Sequence, residues 1–297
     1  MECYFYKKDD DKLRCSLCPH NCLIKKEHTG VCGVRKAVLS DNELKLVSLN
    51  YGEVTSISLD PIEKKPLINF YPNSQILSIG SFGCNFKCSF CQNYSISQYK
   101  SESKHIDIIE MTDFVLNMDN NLGLAFTYNE PTIWYEYVFQ LAKNIKEKDS
   151  SKKIVLVTNG FINEAPFLKL LPFIDALNID LKGNANYYQN ICFGLLEPVK
   201  NTIRLAYEYK KHIELTLLLV PNQNTDKQTL KDIGEFIQNI DRTIPLHLSR
   251  YFPRYKMIEE PTSLELIKSS YNFLKDYLDN IILGNLTDHE KEYIYTD

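Results

Sequence analysis

No apolar run in this 297-residue sequence approaches the ~20 residues needed to cross a bilayer; the longest candidate, Leu215 to Val220, is the size of a strand. The first residues, Met1 to Asp11, have no apolar core of the kind a secretory signal carries, so a disulfide framework is not expected. Strong charge is lacking too. The net charge of −4 and pI near 5.9 give no basic field to attract nucleic acid. The one lysine-rich stretch, Lys143 to Lys153, is broken by Glu147 and Asp149 and reads as the solvated end of a helix. Neither an internal repeat nor a low-complexity tract is present. With membrane, export and nucleic acid set aside, the expectation is a cytoplasmic chain, one large domain or one domain with an appendage. Its 44% hydrophobic content is enough to build a core.

What the chain does have is cysteine, nine residues in all. Three stand in the run Gly83-Cys84-Asn85-Phe86-Lys87-Cys88-Ser89-Phe90-Cys91, directly after the strand-like Ile76 to Gly80. A structural zinc site needs four ligands, and no fourth Cys or His lies in this loop. Three thiolates can instead hold three irons of a [4Fe-4S] cubane and leave the fourth iron open. An electron carrier closes its cluster with four protein ligands. A site that does chemistry keeps a position free, as catalytic zinc does. A second group, Cys15, Cys18, Cys22 and Cys32, lies upstream with Pro19, Gly30 and Gly33 to supply turns. Four such ligands can close around zinc or around an auxiliary iron–sulfur cluster, and ligand type does not separate the two. Cys3 and Cys192 have no ligand partner at a useful spacing and are expected to be bystanders.

Residues 1–73 read as a cysteine-rich module with a β-rich link, and residues 74–297 as the main domain. In the second part, strand and helix signals alternate. Strands are expected at Ile76–Gly80, Gly123–Thr127, Ile154–Thr158, Ala176–Asp180, Ile213–Val220 and Pro245–Ser249, with a shorter one at Ile281–Gly284. They are continuous apolar runs, as parallel strands buried on both faces require. Helical spacing joins Leu230, Ile233, Ile237 and Ile240 behind an N-cap at Asp226, and Leu264, Ile267, Tyr271, Leu274 and Leu278 after Ser263. This is an α/β pattern with right-handed crossovers, an open sheet or a barrel. The cysteine loop stands where a nucleotide-binding fold would carry its glycines.

In parallel barrels the reactive groups sit at the C-terminal strand ends. Here those ends hold the cysteine loop, then Tyr128-Asn129-Glu130-Pro131, Thr158-Asn159-Gly160, Asp180-Leu181-Lys182 and Pro221-Asn222, and the sixth strand carries His247 and Arg250. Each has an ordinary structural reading alone: a helix start, a turn, an ion pair. Their recurrence opposite one cysteine loop points to a site.

This constellation resembles the radical S-adenosylmethionine (SAM) enzymes, through Cys84-x3-Cys88-x2-Cys91 and the aromatic Phe90. The resemblance implies a partial (βα)6 TIM-type barrel and a [4Fe-4S] cluster whose open iron is chelated by SAM. It also implies reductive cleavage of SAM to methionine and a 5′-deoxyadenosyl radical that takes hydrogen from a substrate. Glu130, with Tyr128 and Asn129, falls where such enzymes hold the SAM amino group with a Gly-Gly-Glu motif, although bulkier residues replace the glycines here. Thr158, Asn159, Asp180 and Lys182 look like SAM-placing segments of pyruvate formate-lyase-activating enzymes, and His247 like a histidine near the SAM ribose. Val157 replaces an acid of that group, which argues against its monovalent-cation site.

Over nearly the whole chain the sequence is similar to the radical SAM member of the AmmeMemoRadiSam system. The similarity runs through the upstream cysteines, Asp60-Pro61-Ile62-Glu63-Lys64-Lys65-Pro66-Leu67, Asn178-Ile179-Asp180-Leu181-Lys182 and His247-Leu248-Ser249-Arg250. Many such relatives end in a further Cys-x2-Cys segment, whereas this sequence ends Ile294-Tyr295-Thr296-Asp297, so no role of that segment is expected. The resemblance implies Memo-family and AMMECR-family proteins as associates and a flavodoxin or ferredoxin as electron donor. A glycyl-radical-enzyme activase is the neighbouring alternative. A non-enzymatic iron–sulfur or zinc electron-transfer protein is the reading from another class.

Overall fold

The computed structural model describes residues 1–296. Its centre is an eight-stranded sheet. From one edge to the other it runs Ser56–Pro61, Gln75–Gly80, Asn121–Phe126, Lys153–Thr158, Ala176–Asp180, His212–Leu219, Leu246–Arg250 and Ile281–Gly284. Every strand from Gln75 onward is parallel to its neighbours, and Ser56–Pro61 alone is antiparallel. Strand order follows chain order without a reversal, and the two edges do not pair with each other. The result is a partial barrel with its polar loops at one end. The six expected parallel strands are all present, and Ile281–Gly284 adds a seventh.

Alternation within the strands explains the layering. Leu77, Ile79, Leu124, Phe126, Leu177, Ile179, Leu215 and Leu217 are buried in the main core under the helices, while Ile76, Ala125, Val155 and Ala176 turn the other way into the barrel. The crossover helices carry the expected apolar faces. Helix Lys227–Asp241 starts at Asp226, whose side chain accepts from the Thr229 N–H, and helix Leu264–Leu274 starts at Ser263, which accepts from the Leu266 N–H.

Two features differ from expectation. Ser56–Pro61 belongs to the barrel sheet, so a boundary at residue 73 cuts through paired strands. The sequence suggests a strand at Val54 to Leu59 within the link, but only Asp60 of Ser56–Pro61 is buried, so no apolar signal ties it to the barrel. The link that follows is not a surface connection either. Ile62, Leu67 and Phe70 pack on Ile76, Ala125, Val155 and Ala176, stoppering the barrel from within.

The N-terminal part has a three-stranded sheet, Tyr6–Asp9, Lys12–Cys15 and Leu23–Lys25, and a hairpin of Arg35–Ser40 with Glu43–Ser48. It is fastened to helix Tyr135–Lys148 through Glu136. That carboxylate pairs with Arg35 at 3.0 Å and accepts from the Tyr4 N–H at 2.7 Å. Among the described residues, no helix is long and apolar enough to cross a membrane.

Candidate active site

The cysteine loop leaves strand Gln75–Gly80 through Gly83, whose φ of 90° lies in the left-handed region. A Cβ there would meet the Cys32 carbonyl oxygen at 2.9 Å and Val34 Cγ1 at 2.6 Å, so only glycine lets the N-terminal part close on the loop. Asn129 staples the loop's entry. Its Oδ1 accepts from the Ser81 N–H at 2.9 Å and its Nδ2 donates to the Gly83 carbonyl at 3.0 Å. Asn93 Nδ2 donates to the Tyr128 carbonyl at 2.7 Å and ties down the far side.

Around Cys84 the third strand end closes in. Asn159 Nδ2 lies 3.7 Å from Cys84 Sγ and donates to Asn85 Oδ1 at 2.9 Å. Asn159 N–H donates to Glu130 at 2.8 Å, Thr158 Oγ1 donates to it at 2.6 Å, and Thr132 N–H at 2.9 Å. Glu130 is only 2% exposed, and all three donors are neutral. Burial raises its pKa, against the opposing pull of those hydrogen bonds.

Around Cys88 the fourth strand end does the same. Lys182 Nζ pairs with Asp180 at 2.5 Å and stands 5.8 Å from the centre of the Phe90 ring. Burial works against the Lys182 charge, but Asp180 with the sulfurs of Cys88 and Cys192 raises its pKa well above the ordinary value. Phe90 in turn packs on Tyr187, 5.9 Å between ring centres. Cys91 Sγ is 3.1 Å from Ser97 Oγ.

Cys192, expected to be a bystander, is brought to the site. It ends a π-helical turn, Tyr188–Cys192, that docks on the loop from both sides of Cys88. Lys87 N–H donates to the Cys192 carbonyl at 2.9 Å and Ser89 N–H to that of Ile191 at 3.3 Å. A hydrogen bond with Cys192, together with burial, pushes the Cys88 thiol well up. No spacing rule could have found this contact, which depends on where the fourth crossover begins. The Tyr187 hydroxyl beside it is buried with no partner among the described residues.

Two expected site residues point elsewhere. The Tyr128 ring runs into the barrel and its hydroxyl donates to Asp60 Oδ2 at 2.8 Å, with Lys65 Nζ 4.8 Å from the ring centre. His247 is the second residue of its strand, not its end, and its Nε2 lies 2.6 Å from Glu214 Oε2. Neither side chain bonds to the cysteine loop, because each finds a carboxylate inside the barrel first. Arg250, at the strand's end, holds Glu290 at 2.8 Å and the Thr262 carbonyl at 2.9 Å.

A model of the Radical SAM superfamily matches residues 78–233. An uncharacterized protein of Methanocaldococcus jannaschii is 38% identical over 99% of this chain and 88% of its own length. The pyruvate formate-lyase-activating enzyme of Staphylococcus epidermidis is 22% identical over 65% of this chain and 85% of its own length. Among solved structures, Streptococcus suis SuiB bound to S-adenosylmethionine shares the fold with a TM-score of 0.55 at 13% identity, covering 74% of this chain and 53% of SuiB. A family match over more than half the sequence, joined to a relative alike from end to end, means that the chain belongs to the radical SAM superfamily, enzymes of a [4Fe-4S] cluster and SAM.

Proposed function

We propose that Cys84, Cys88 and Cys91 hold the cluster and that the strand ends beside them hold SAM. The residues fit the group. Soft thiolates suit an iron–sulfur cluster, and these three sense one another's charge across one short loop. When bound, the cluster supplies one electron to SAM, whose C–S bond breaks to give methionine and a 5′-deoxyadenosyl radical. The chain's own residues bind, orient and keep water away.

The observation that carries this reading is Glu130. It is a buried carboxylate beside Cys84 with neutral donors only. The ammonium of SAM is the cation such a group lacks. Asn159 spans from Glu130 to the loop and fixes their distance. Asp180 and Lys182 face the Cys88 side with Phe90, where Lys182 would meet the SAM carboxylate and Phe90 would pack against the cofactor. Tyr128 and Asn129 act by holding the loop and the barrel lining, and His247 acts from inside the barrel.

The barrel mouth would hold the substrate whose hydrogen this chemistry removes. The runs quoted above support a place in the AmmeMemoRadiSam system beside Memo-family and AMMECR-family proteins, with a flavodoxin or ferredoxin as electron source. The similarity to a pyruvate formate-lyase-activating enzyme favours, as the second reading, abstraction from a polypeptide glycine. The four upstream cysteines form a second metal centre. Family membership sets the non-enzymatic alternative aside.

Anaerobic reconstitution, then SAM and a strong reductant, should yield 5′-deoxyadenosine; none from a fully loaded cluster would sink the proposal. Glu130→Gln should leave cluster iron unchanged and weaken SAM about ten- to hundredfold, the worth of a charge-assisted hydrogen bond of ~1.5–3 kcal/mol. Equilibrium dialysis with labelled SAM reads this directly, and equal affinity would remove Glu130 from the site.

A further inference from the structure

Cys15 closes strand Lys12–Cys15, Cys18 and Cys22 flank the turn Pro19-His20-Asn21, and Cys32 precedes Gly33. All four line one cavity with Ile24 and Arg35. Its free space is about 10 Å³, the room of one water-sized sphere. One backbone donor is already turned toward a sulfur: Val31 N–H reaches Cys22 Sγ at 3.4 Å, and a donor of this kind favours thiolate sulfur. Arg35 adds a separate sign. It is 1% exposed, its Nη atoms go to Glu136, and its Nε–H has no partner. A metal held by four thiolates carries surplus negative charge for that N–H to meet.

We propose that these four cysteines bind a single zinc ion as a closed tetrathiolate, and that this ion holds His20 against the cysteine loop of the barrel. The tightness of the cavity favours a single ion over an eight-atom cubane, and a single ion with four protein ligands is the structural kind of zinc site. Among the described residues no three such groups yet stand at metal-bound spacing, so the sulfurs draw in as the ion binds. Zinc has no redox chemistry here, so the centre is a brace and not a relay of electrons.

The brace reaches the barrel through His20, inside the Cys18–Cys22 turn. Its Nε2 lies 2.7 Å from the Asn85 carbonyl, and its ring meets Phe161 edge-on, 5.0 Å between centres. Asn85 stands between Cys84 and Cys88, and its side chain donates to the Phe161 carbonyl at 2.8 Å. Asn163 N–H donates to the Leu17 carbonyl at 3.0 Å and its Nδ2 to that of Ser16 at 2.8 Å. The zinc turn thus presses on the loop where it leaves Cys84. This second half rests on reading Cys84, Cys88 and Cys91 as the cluster ligands; the zinc assignment does not.

The test is metal and sulfide content of the chain carrying Cys84→Ala, Cys88→Ala and Cys91→Ala together, grown with both zinc and iron. The expected result is one zinc per chain with neither iron nor sulfide. Zinc-edge X-ray absorption should show four sulfurs at about 2.3 Å. Iron or sulfide retained by this protein, or no zinc at all, overturns the proposal. If the triple variant does not fold, the wild-type holoenzyme answers the same question, since its zinc edge must show the same four sulfurs. For the coupling, His20→Ala should keep zinc yet lose barrel iron to a chelator several-fold faster, and His20→Gln, which retains an N–H donor, should restore the slow rate. Equal rates in all three proteins overturn the coupling and leave the zinc assignment standing. A wild-type protein with zinc but no iron would instead count against the barrel cluster.

Discussion

Cys88→Ala is expected to empty the barrel site of iron and sulfide and to abolish 5′-deoxyadenosine formation, while zinc at Cys15, Cys18, Cys22 and Cys32 stays bound. The cluster has three protein ligands in the proposed site and none to spare. Cys88 is also the most enclosed of the three, 8% exposed, with Lys182 and Asp180 on one side and Cys192 on the other. Removing its sulfur leaves Lys182 with Asp180 as its partner and the cubane with two ligands. Cys192 is the thiol placed to compensate, because the Tyr188–Cys192 turn holds it against Cys88. Its carbonyl is committed to Lys87 N–H, which holds the turn, and its sulfur with it, beside the Cys88 position and not at it. The double variant Cys88→Ala with Cys192→Ala should therefore match the single one. Iron content and SAM cleavage measured on both decide the matter. A cluster retained in the double variant would show that Cys88 is not a ligand. One retained only in the single variant would make Cys192 a substitute ligand.

The parts of this site that could be read in advance are those written locally. Cys84, Cys88 and Cys91 sit within one loop after a continuous apolar strand, and parallel strands buried on both faces announce themselves as such runs. Reading strand ends then located Glu130, Asn159, Asp180 and Lys182, which the structure brings to that loop. What escaped depends on chain far away. Cys192 reaches Cys88 through a π-helical turn, and no periodicity marks it. Ser56–Pro61 alternates too weakly to declare itself a barrel strand because it lies at an edge, with Ile57 and Leu59 exposed. The Asp60 to Leu67 run falls by sequence in the β-rich link, and in the structure it leads into the barrel's stopper. Its prolines and charges make sense only once Lys65 Nζ is seen on Asp60 Oδ2 at 2.8 Å, and the Pro66 carbonyl accepting from Asn178 Nδ2 at 2.9 Å. His247 carries the sharpest lesson. Its residue type and strand were right for a cofactor contact, but a buried glutamate two strand positions into its neighbour takes the ring.

That glutamate yields the largest expected effect on stability. Glu214 is fully buried on strand His212–Leu219 and accepts from the Asn69 N–H at 2.8 Å and the Ile68 N–H at 3.1 Å. His212 and His247 approach its two oxygens at 2.9 and 2.6 Å. One carboxylate therefore pins the stopper to two strands. Burial alone would raise its pKa, but the hydrogen bonds from His212, His247, Asn69 and Ile68 outweigh burial and push it down to about 2. A lowered carboxylate pKa means that the unfolded chain binds more protons in the interval between the two values. The stabilisation is thus complete above the ordinary glutamate range and fades as pH falls through it toward about 2. Glu214→Gln keeps the shape but turns an amide N–H₂ toward groups that need an acceptor. It should cost on the order of 3 kcal/mol at neutral pH, a fall in Tm of roughly 5 °C for a chain of this size. Thermal unfolding of the metal-loaded protein from pH 7 to 3 should then show the two proteins converging in acid, because only the wild type has this stabilisation to lose. A constant gap across that range would mean that the carboxylate charge is not what holds the stopper. Cluster iron should be equal in the two proteins at pH 7, since none of the Glu214 partners belongs to the cysteine loop. The stopper and the radical site are then separable by experiment, one closing the barrel against water from within and the other working at its mouth.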